Sequence, residues 1–103
     1  MQVEYGTVGW DLTIKLIGEL DECAANRIRA RLDSLLERES PKRVIFELSG
    51  LSFADSTGIG MLLGRYKLLK QRGVPVYISN PTRQVERIFE MSGIFRVMPK
   101  IAL

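Results

Sequence analysis

The stretch Leu51–Lys67, "LSFADSTGIGMLLGRYK", decides how the rest of the chain is read. It enters as the tail of an apolar strand and leaves as an amphipathic helix. Ile59, Leu62, Leu63, Tyr66 and Leu69 recur at three- and four-residue steps, which puts them on one helical face. Between strand and helix stands Asp55-Ser56-Thr57-Gly58, a carboxylate, two hydroxyls and a glycine. The helix is expected to open near Thr57, and Gly73 sits where a glycine ends a helix in the left-handed conformation.

The same alternation of periods runs outward in both directions. Upstream, "VEYGTV" (3–8) and "DLTIKLIG" (11–18) read as two short strands joined at Gly9. Leu12, Ile14 and Leu16 alternate with Thr13 and Lys15, as in a half-buried strand. "GELDECAANRIRARLDSLLERES" (18–40) then switches to helical spacing, with Ala25, Ile28, Leu32, Leu35 and Leu36 forming its apolar stripe. Asp21 is the expected N-cap, Glu22 suits the positive end of the helix dipole, and Ser40-Pro41 closes the segment. "KRVIFELSGL" (42–51) reads as one strand whose Val44-Ile45-Phe46 run fits the centre of a sheet.

Downstream, "VPVYIS" (74–79) is a further strand. Asn80-Pro81 predicts a helix start, N-cap then proline. Val85, Ile88 and Phe89 make the stripe of that helix, Gly93 ends it, and "FRVM" (95–98) is a candidate last strand. The order is ββαβαβα, with or without a final β. It predicts a single α/β domain over residues 1–103, with a mixed sheet of four to five strands flanked by helices and right-handed crossovers.

Composition narrows the chemistry. The 103 residues contain no histidine, which removes Ser-His and Cys-His nucleophilic pairs, the commonest general base and the commonest metal ligand. No metal or other cofactor is expected. One cysteine forbids an internal disulfide and suits a reducing cytosol. Cys23 is expected to be buried or half-buried in the first turn of its helix. The net charge is +3, but Arg27, Arg29, Arg31, Arg65, Lys67 and Lys70 are spread over two helices. They read as solvated helix faces rather than a nucleic-acid footprint. The N-terminus lacks signal-peptide features, and no apolar run approaches the roughly 18 residues of a membrane span. A cytoplasmic protein with no nucleic-acid or membrane partner is the expectation.

Asp55–Gly58 is compatible in residue type with four chemistries. A dinucleotide fingerprint needs G-x-G-x-x-G, but Gly58-x-Gly60 is followed by Leu63 at the third position. An aspartic protease needs Asp-Thr/Ser-Gly, and here Ser56-Thr57 inserts an extra residue into the wrong αβ context. A serine nucleophile finds neither a G-x-S-x-G elbow nor a lysine three residues on, where Ile59 stands. A phosphoacceptor fits, because a hydroxyl in the first turn of a helix meets unpaired N–H groups and the positive dipole end. The alternative is purely local: Asp55 as N-cap, with Ser56 and Thr57 filling the first turn. The pattern by itself leaves these two readings open.

Three motifs in register add a resemblance. "LSFADSTGIGMLLGRYKLLKQRG", "GELD" (Gly18–Asp21) and "RIFEMSGIFRVM" (Arg87–Met98) resemble the STAS domains, specifically the anti-sigma factor antagonists of Gram-positive bacteria. "LGRYK" and "FEMSGIF" resemble the sporulation branch more than the general-stress branch. The resemblance implies a STAS fold and a regulator that is not an enzyme. It implies that the unphosphorylated protein binds an anti-sigma factor with serine kinase activity, itself carrying ATP or ADP, and so releases a sigma factor. The kinase then phosphorylates Ser56, not Thr57, and a PP2C-like phosphatase restores the serine. Asp21, Asp55, Ser56, Thr57 and Gly58 are implied as the partner-binding residues. The other roles open to the family are a scaffold subunit of a stressosome or a transporter complex. Two departures stand out: Glu22-Cys23 follows "GELD" where relatives often carry histidines, and the chain ends at Leu103 where relatives continue into another helix.

Overall fold

The computed structural model describes residues 1–102. Strand β1 (Gln2–Val8) turns back at Gly9 into β2 (Asp11–Leu20). Helix α1 (Glu22–Glu39) leads to β3 (Arg43–Glu47), and β4 (Leu51–Ala54) leads to helix α2 (Ser56–Gln71). Strand β5 (Val76–Ser79), helix α3 (Arg83–Ser92), a 3₁₀ turn (Ile94–Arg96) and β6 (Lys100–Ile101) complete the chain. The sheet runs β1-β2-β3-β5-β6, with β4 paired to β2 off that path. Among the described residues only β1 is antiparallel, and every other pairing is parallel. The fold is therefore mixed α/β as the sequence predicts, with six strands in place of four to five.

Right-handed crossovers between successive parallel strands put the helices against one face of the sheet. Leu12, Ile14 and Leu16 of β2 and Val44 and Phe46 of β3 are buried beneath Ala25, Ile28 and Leu32 of α1, Ile59 and Leu62 of α2, and Phe89 of α3. The opposite face carries charged rungs. Arg43 donates two hydrogen bonds to Asp11 Oδ2, at 3.0 and 2.7 Å, and Lys15 lies 3.9 Å from Glu47. Each pair sits directly across the β2–β3 register, where opposite charges stabilise a sheet modestly.

Four local expectations are corrected. "KRVIFELSGL" is two strands. The Ser49 amide donates to Glu47 Oε1 at 2.8 Å and ends β3, and Leu51 starts β4 on the far half of β2. The last helix is capped by Thr82, not Asn80. The Thr82 hydroxyl accepts from the Val85 amide at 3.3 Å and donates to the Leu51 carbonyl at 3.2 Å, which ties α3 to β4. Asn80 instead takes a left-handed φ of 52° at the turn. "FRVM" is no strand: Phe95 and Arg96 lie in the 3₁₀ turn and Val97 and Met98 just after it, and the final strand comes later, where the Ile78 amide donates to the Pro99 carbonyl.

Arg65 is the fourth. Its side chain is 10% exposed, folded between α1 and α2 with Nε 3.0 Å from Asp33 Oδ1. The contact is an ion pair without a directed hydrogen bond, since neither atom meets that geometry. A cation at this position is masked from solvent because α1 and α2 pack against each other there. Arg27, Arg29, Arg31, Lys67 and Lys70 are exposed, as expected. Among the described residues, no helix is long and apolar enough to cross a membrane.

Candidate functional site

The site forms where β2 and β4 end side by side. Their parallel pairing, Leu20 with Ala54, delivers the next residue of each strand, Asp21 and Asp55, to neighbouring helix starts. The Asp55 amide donates to the Leu20 carbonyl at 3.2 Å, extending the ladder by one step. Both aspartates have extended backbones and both are N-caps. Asp21 Oδ1 accepts from the Ala24 amide at 2.8 Å, and Asp55 Oδ1 accepts from the Gly58 amide at 2.8 Å. An N-cap satisfies a helix donor that has no intrahelical partner. Asp21→Ala is accordingly expected to lower the unfolding free energy by about 1 kcal/mol, read as a lower denaturant midpoint at unchanged m.

Asp55 does more than cap its own helix. Its second oxygen, Oδ2, accepts from the backbone amide of Glu22 at 3.0 Å, across 33 residues of sequence. One carboxylate thus holds the first turns of α1 and α2 together, and the positive ends of both helix dipoles converge on it.

Ser56 is the first residue of α2 and is exposed; Thr57 is half-buried and Gly58 is buried. Gly58 is glycine for a packing reason. A Cβ there would collide with the Leu20 carbonyl oxygen and lie 2.8 Å from Leu20 Cγ. The first turn of α2 therefore lies flat on the end of β2, and Ser56 points away on the open side. Asp21, Glu22, Cys23, Asn26 and Asp55 line a shallow depression beside it. A second depression, reached past Met1, is lined by Glu19, Asp21, Cys23 and Arg27. The structure thus brings Asp21, Asp55, Ser56, Thr57 and Gly58 to one end of the sheet. Cys23 is exposed rather than buried: at the second position of α1 its side chain falls on the solvent side, while Ala24 and Ala25 take the core side. The cross-helix bond from Glu22 to Asp55 has no sequence signal, because no pattern marks a contact between two helix starts so far apart in the chain.

Among the described residues no group of three or more histidine, cysteine, aspartate or glutamate side chains is placed to hold a metal ion. The arrangement instead presents an exposed serine at the head of α2, next to the aspartate that ties this helix start to that of α1.

Comparison with known proteins gives the same direction. The STAS domain family model matches residues 2–103. The anti-sigma F factor antagonist of Paenibacillus polymyxa is 36% identical over 88 residues, covering 85% of this chain and 75% of that protein. The anti-sigma-B factor antagonist of Bacillus subtilis (strain 168) is 30% identical over 84 residues, covering 82% and 75%. The solved structure of the anti-sigma factor antagonist SpoIIAA in its unphosphorylated form superposes with a TM-score of 0.81 at 30% identity, covering 97% of this chain and 88% of that one. The fold, the two capped strand ends and these likenesses together place the chain in the STAS domain family, among relatives that are anti-sigma factor antagonists.

Proposed function

We infer that the chain is an anti-sigma factor antagonist whose binding is switched by phosphorylation of Ser56. Unphosphorylated, it binds an anti-sigma factor that is also a serine kinase, and this binding releases the sigma factor. The partner carries the nucleotide; this chain is its substrate and supplies no catalytic group. Phosphoryl transfer from ATP to Ser56 ends the interaction, and a PP2C-like phosphatase restores it. Asp21, Asp55, Ser56, Thr57 and Gly58 make the docking face. The regulated programme is sporulation transcription, a reading supported by 36% identity to an anti-sigma F factor antagonist against 30% to an anti-sigma-B factor antagonist.

The observation that carries this reading is the exposed Ser56 side chain at the head of α2, beside the start of α1. A phosphate there meets two helix dipoles, so the folded chain carries the dianion at little cost, with about 0.3–1 kcal/mol of stabilisation per dipole contact. A docked partner has to bury the same charge against Asp21 and Asp55, which is unfavourable.

The test is incubation with ATP and the cognate anti-sigma kinase, followed by mass spectrometry. One phosphate on Ser56 is expected, and none on the Ser56→Ala variant. Persistent labelling of Ser56→Ala, on Thr57 or elsewhere, overturns the site.

A further inference from the structure

Asp55 is fixed more completely than an ordinary cap. Its Oδ1 accepts from the Gly58 amide at 2.8 Å, its Oδ2 from the Glu22 amide at 3.0 Å, and its carbonyl from the Ile59 amide at 2.9 Å. Its own amide donates to the Leu20 carbonyl at 3.2 Å. The residue immediately before Ser56 is therefore held by α2, by α1 and by β2 at once. Asp21 already caps α1 through the Ala24 amide, so the Glu22 amide is a separate unpaired donor of α1 that Asp55 alone takes.

We propose that Asp55 is the positioning residue of the phosphoacceptor: by tying the Glu22 amide to the head of α2 it sets where Ser56 Oγ stands relative to α1. This rests on Ser56 being the phosphoacceptor. In the transfer, a bond forms between Ser56 Oγ and the γ-phosphorus of ATP, the bond from that phosphorus to the β–γ bridging oxygen breaks, and ADP leaves. The hydroxyl proton goes to a base of the kinase. Both carboxylate oxygens of Asp55 are held by backbone amides of two different helices, which fixes the residue in place. Its contribution is geometric. Transfer reactions depend steeply on placement, with about 1 Å of displacement worth up to a hundredfold in rate.

Two variants isolate the bond from either side. Asp55→Asn keeps a good N-cap oxygen for Gly58, but its amide nitrogen cannot accept from Glu22. Glu22→Pro deletes the donor itself and leaves Asp55 intact. Proline is tolerated at the first helical position, and Asp21 before it is already extended, with φ −90° and ψ −177°. Glu22→Ala is the reference, because it loses the same side-chain charge as Glu22→Pro but keeps the amide.

The experiment measures single-turnover and steady-state phosphorylation of Ser56 with the kinase and ATP across pH. Glu22→Pro is expected to show kcat reduced about tenfold or more relative to Glu22→Ala, with KM for the antagonist equal in the two. Asp55→Asn is expected to show a similar loss with an unchanged pH profile, and the double variant no further loss, since both changes remove one bond. Equal kcat in Glu22→Pro and Glu22→Ala overturns the proposal. So does a pH profile in which Asp55→Asn has lost a basic limb, because that assigns Asp55 as the base. Absence of label on the unaltered chain is a different failure: it overturns the phosphoacceptor reading and this one with it.

Discussion

Replacing Ser56 by aspartate is expected to weaken binding of the anti-sigma factor about 30- to 1000-fold, or about 2–4 kcal/mol. The substitution places a fixed negative charge on the exposed first residue of α2, next to Asp55 and at the same end of the sheet as Asp21. In the free protein that charge is solvated and faces the positive end of the helix, so thermal stability is expected to hold or rise slightly. In the complex it has to be desolvated beside two carboxylates that are themselves anchored and cannot swing away. Asp55 is committed to two amides and Asp21 to one, so the repulsion cannot be relieved by rotation of either side chain. Isothermal titration calorimetry on the folded variant, with Ser56→Ala as the neutral comparison, separates the effect of charge from loss of the hydroxyl. Affinity for Ser56→Asp equal to that of Ser56→Ala would remove the electrostatic switch.

The second large effect concerns stability. Gly58→Ala is expected to destabilise the fold by about 2–3 kcal/mol, a fall in Tm of roughly 10 °C or more. An added methyl at Gly58 runs into the Leu20 carbonyl oxygen, a backbone atom inside the β2 ladder that has no freedom to move aside. The usual gain from replacing a helical glycine by alanine, about 0.5–1 kcal/mol, is too small to offset the collision. Gly64 is the internal control. It lies in the same helix with nothing within 4 Å of a would-be Cβ, so Gly64→Ala should raise stability by about that same 0.5–1 kcal/mol. Two alanine substitutions six residues apart are thus expected to shift the melting curve in opposite directions. Similar shifts in both would mean that the close approach of α2 to β2 is not what requires glycine at position 58.

The strands and helices were legible where period and capping agreed. Leu12, Ile14 and Leu16 mark β2 by alternation, and Asp21 marks the start of α1 by chemistry; all of them behave as read. Legibility failed where two local signals competed. The apolar "KRVIFELSGL" looks continuous, yet its Ser49-Gly50 step is turn chemistry, and that dipeptide is the signal that separates β3 from β4. At residues 80–82 the sequence offers two caps, Asn80 and Thr82. The proline between them favours the first on local grounds, but Thr82 prevails because its hydroxyl also reaches the Leu51 carbonyl, a tertiary contact. Arg65 is a charge that α1 covers, and no pattern on α2 alone announces that.

At the site, the two local readings of Asp55-Ser56 prove compatible. Asp55 is an N-cap, as the plain structural reading holds, and its capping leaves Ser56 exposed as the first helical residue. What the sequence could not contain was the partner of the second carboxylate oxygen. That partner is a backbone amide, which every residue but proline possesses, so no residue type advertises it.

The placement of the first residue has a practical reach. Met1 lies over Gly18 and borders the depression that contains Asp21 and Cys23, because β1 runs antiparallel to β2 and starts beside its far end. Anything fused ahead of Met1 therefore emerges next to Glu19, Asp21 and Cys23, beside the proposed docking face. A polyhistidine tag there would bring titratable cations within reach of Glu19 and Asp21, and would give any partner-binding measurement a pH and salt dependence that belongs to the tag.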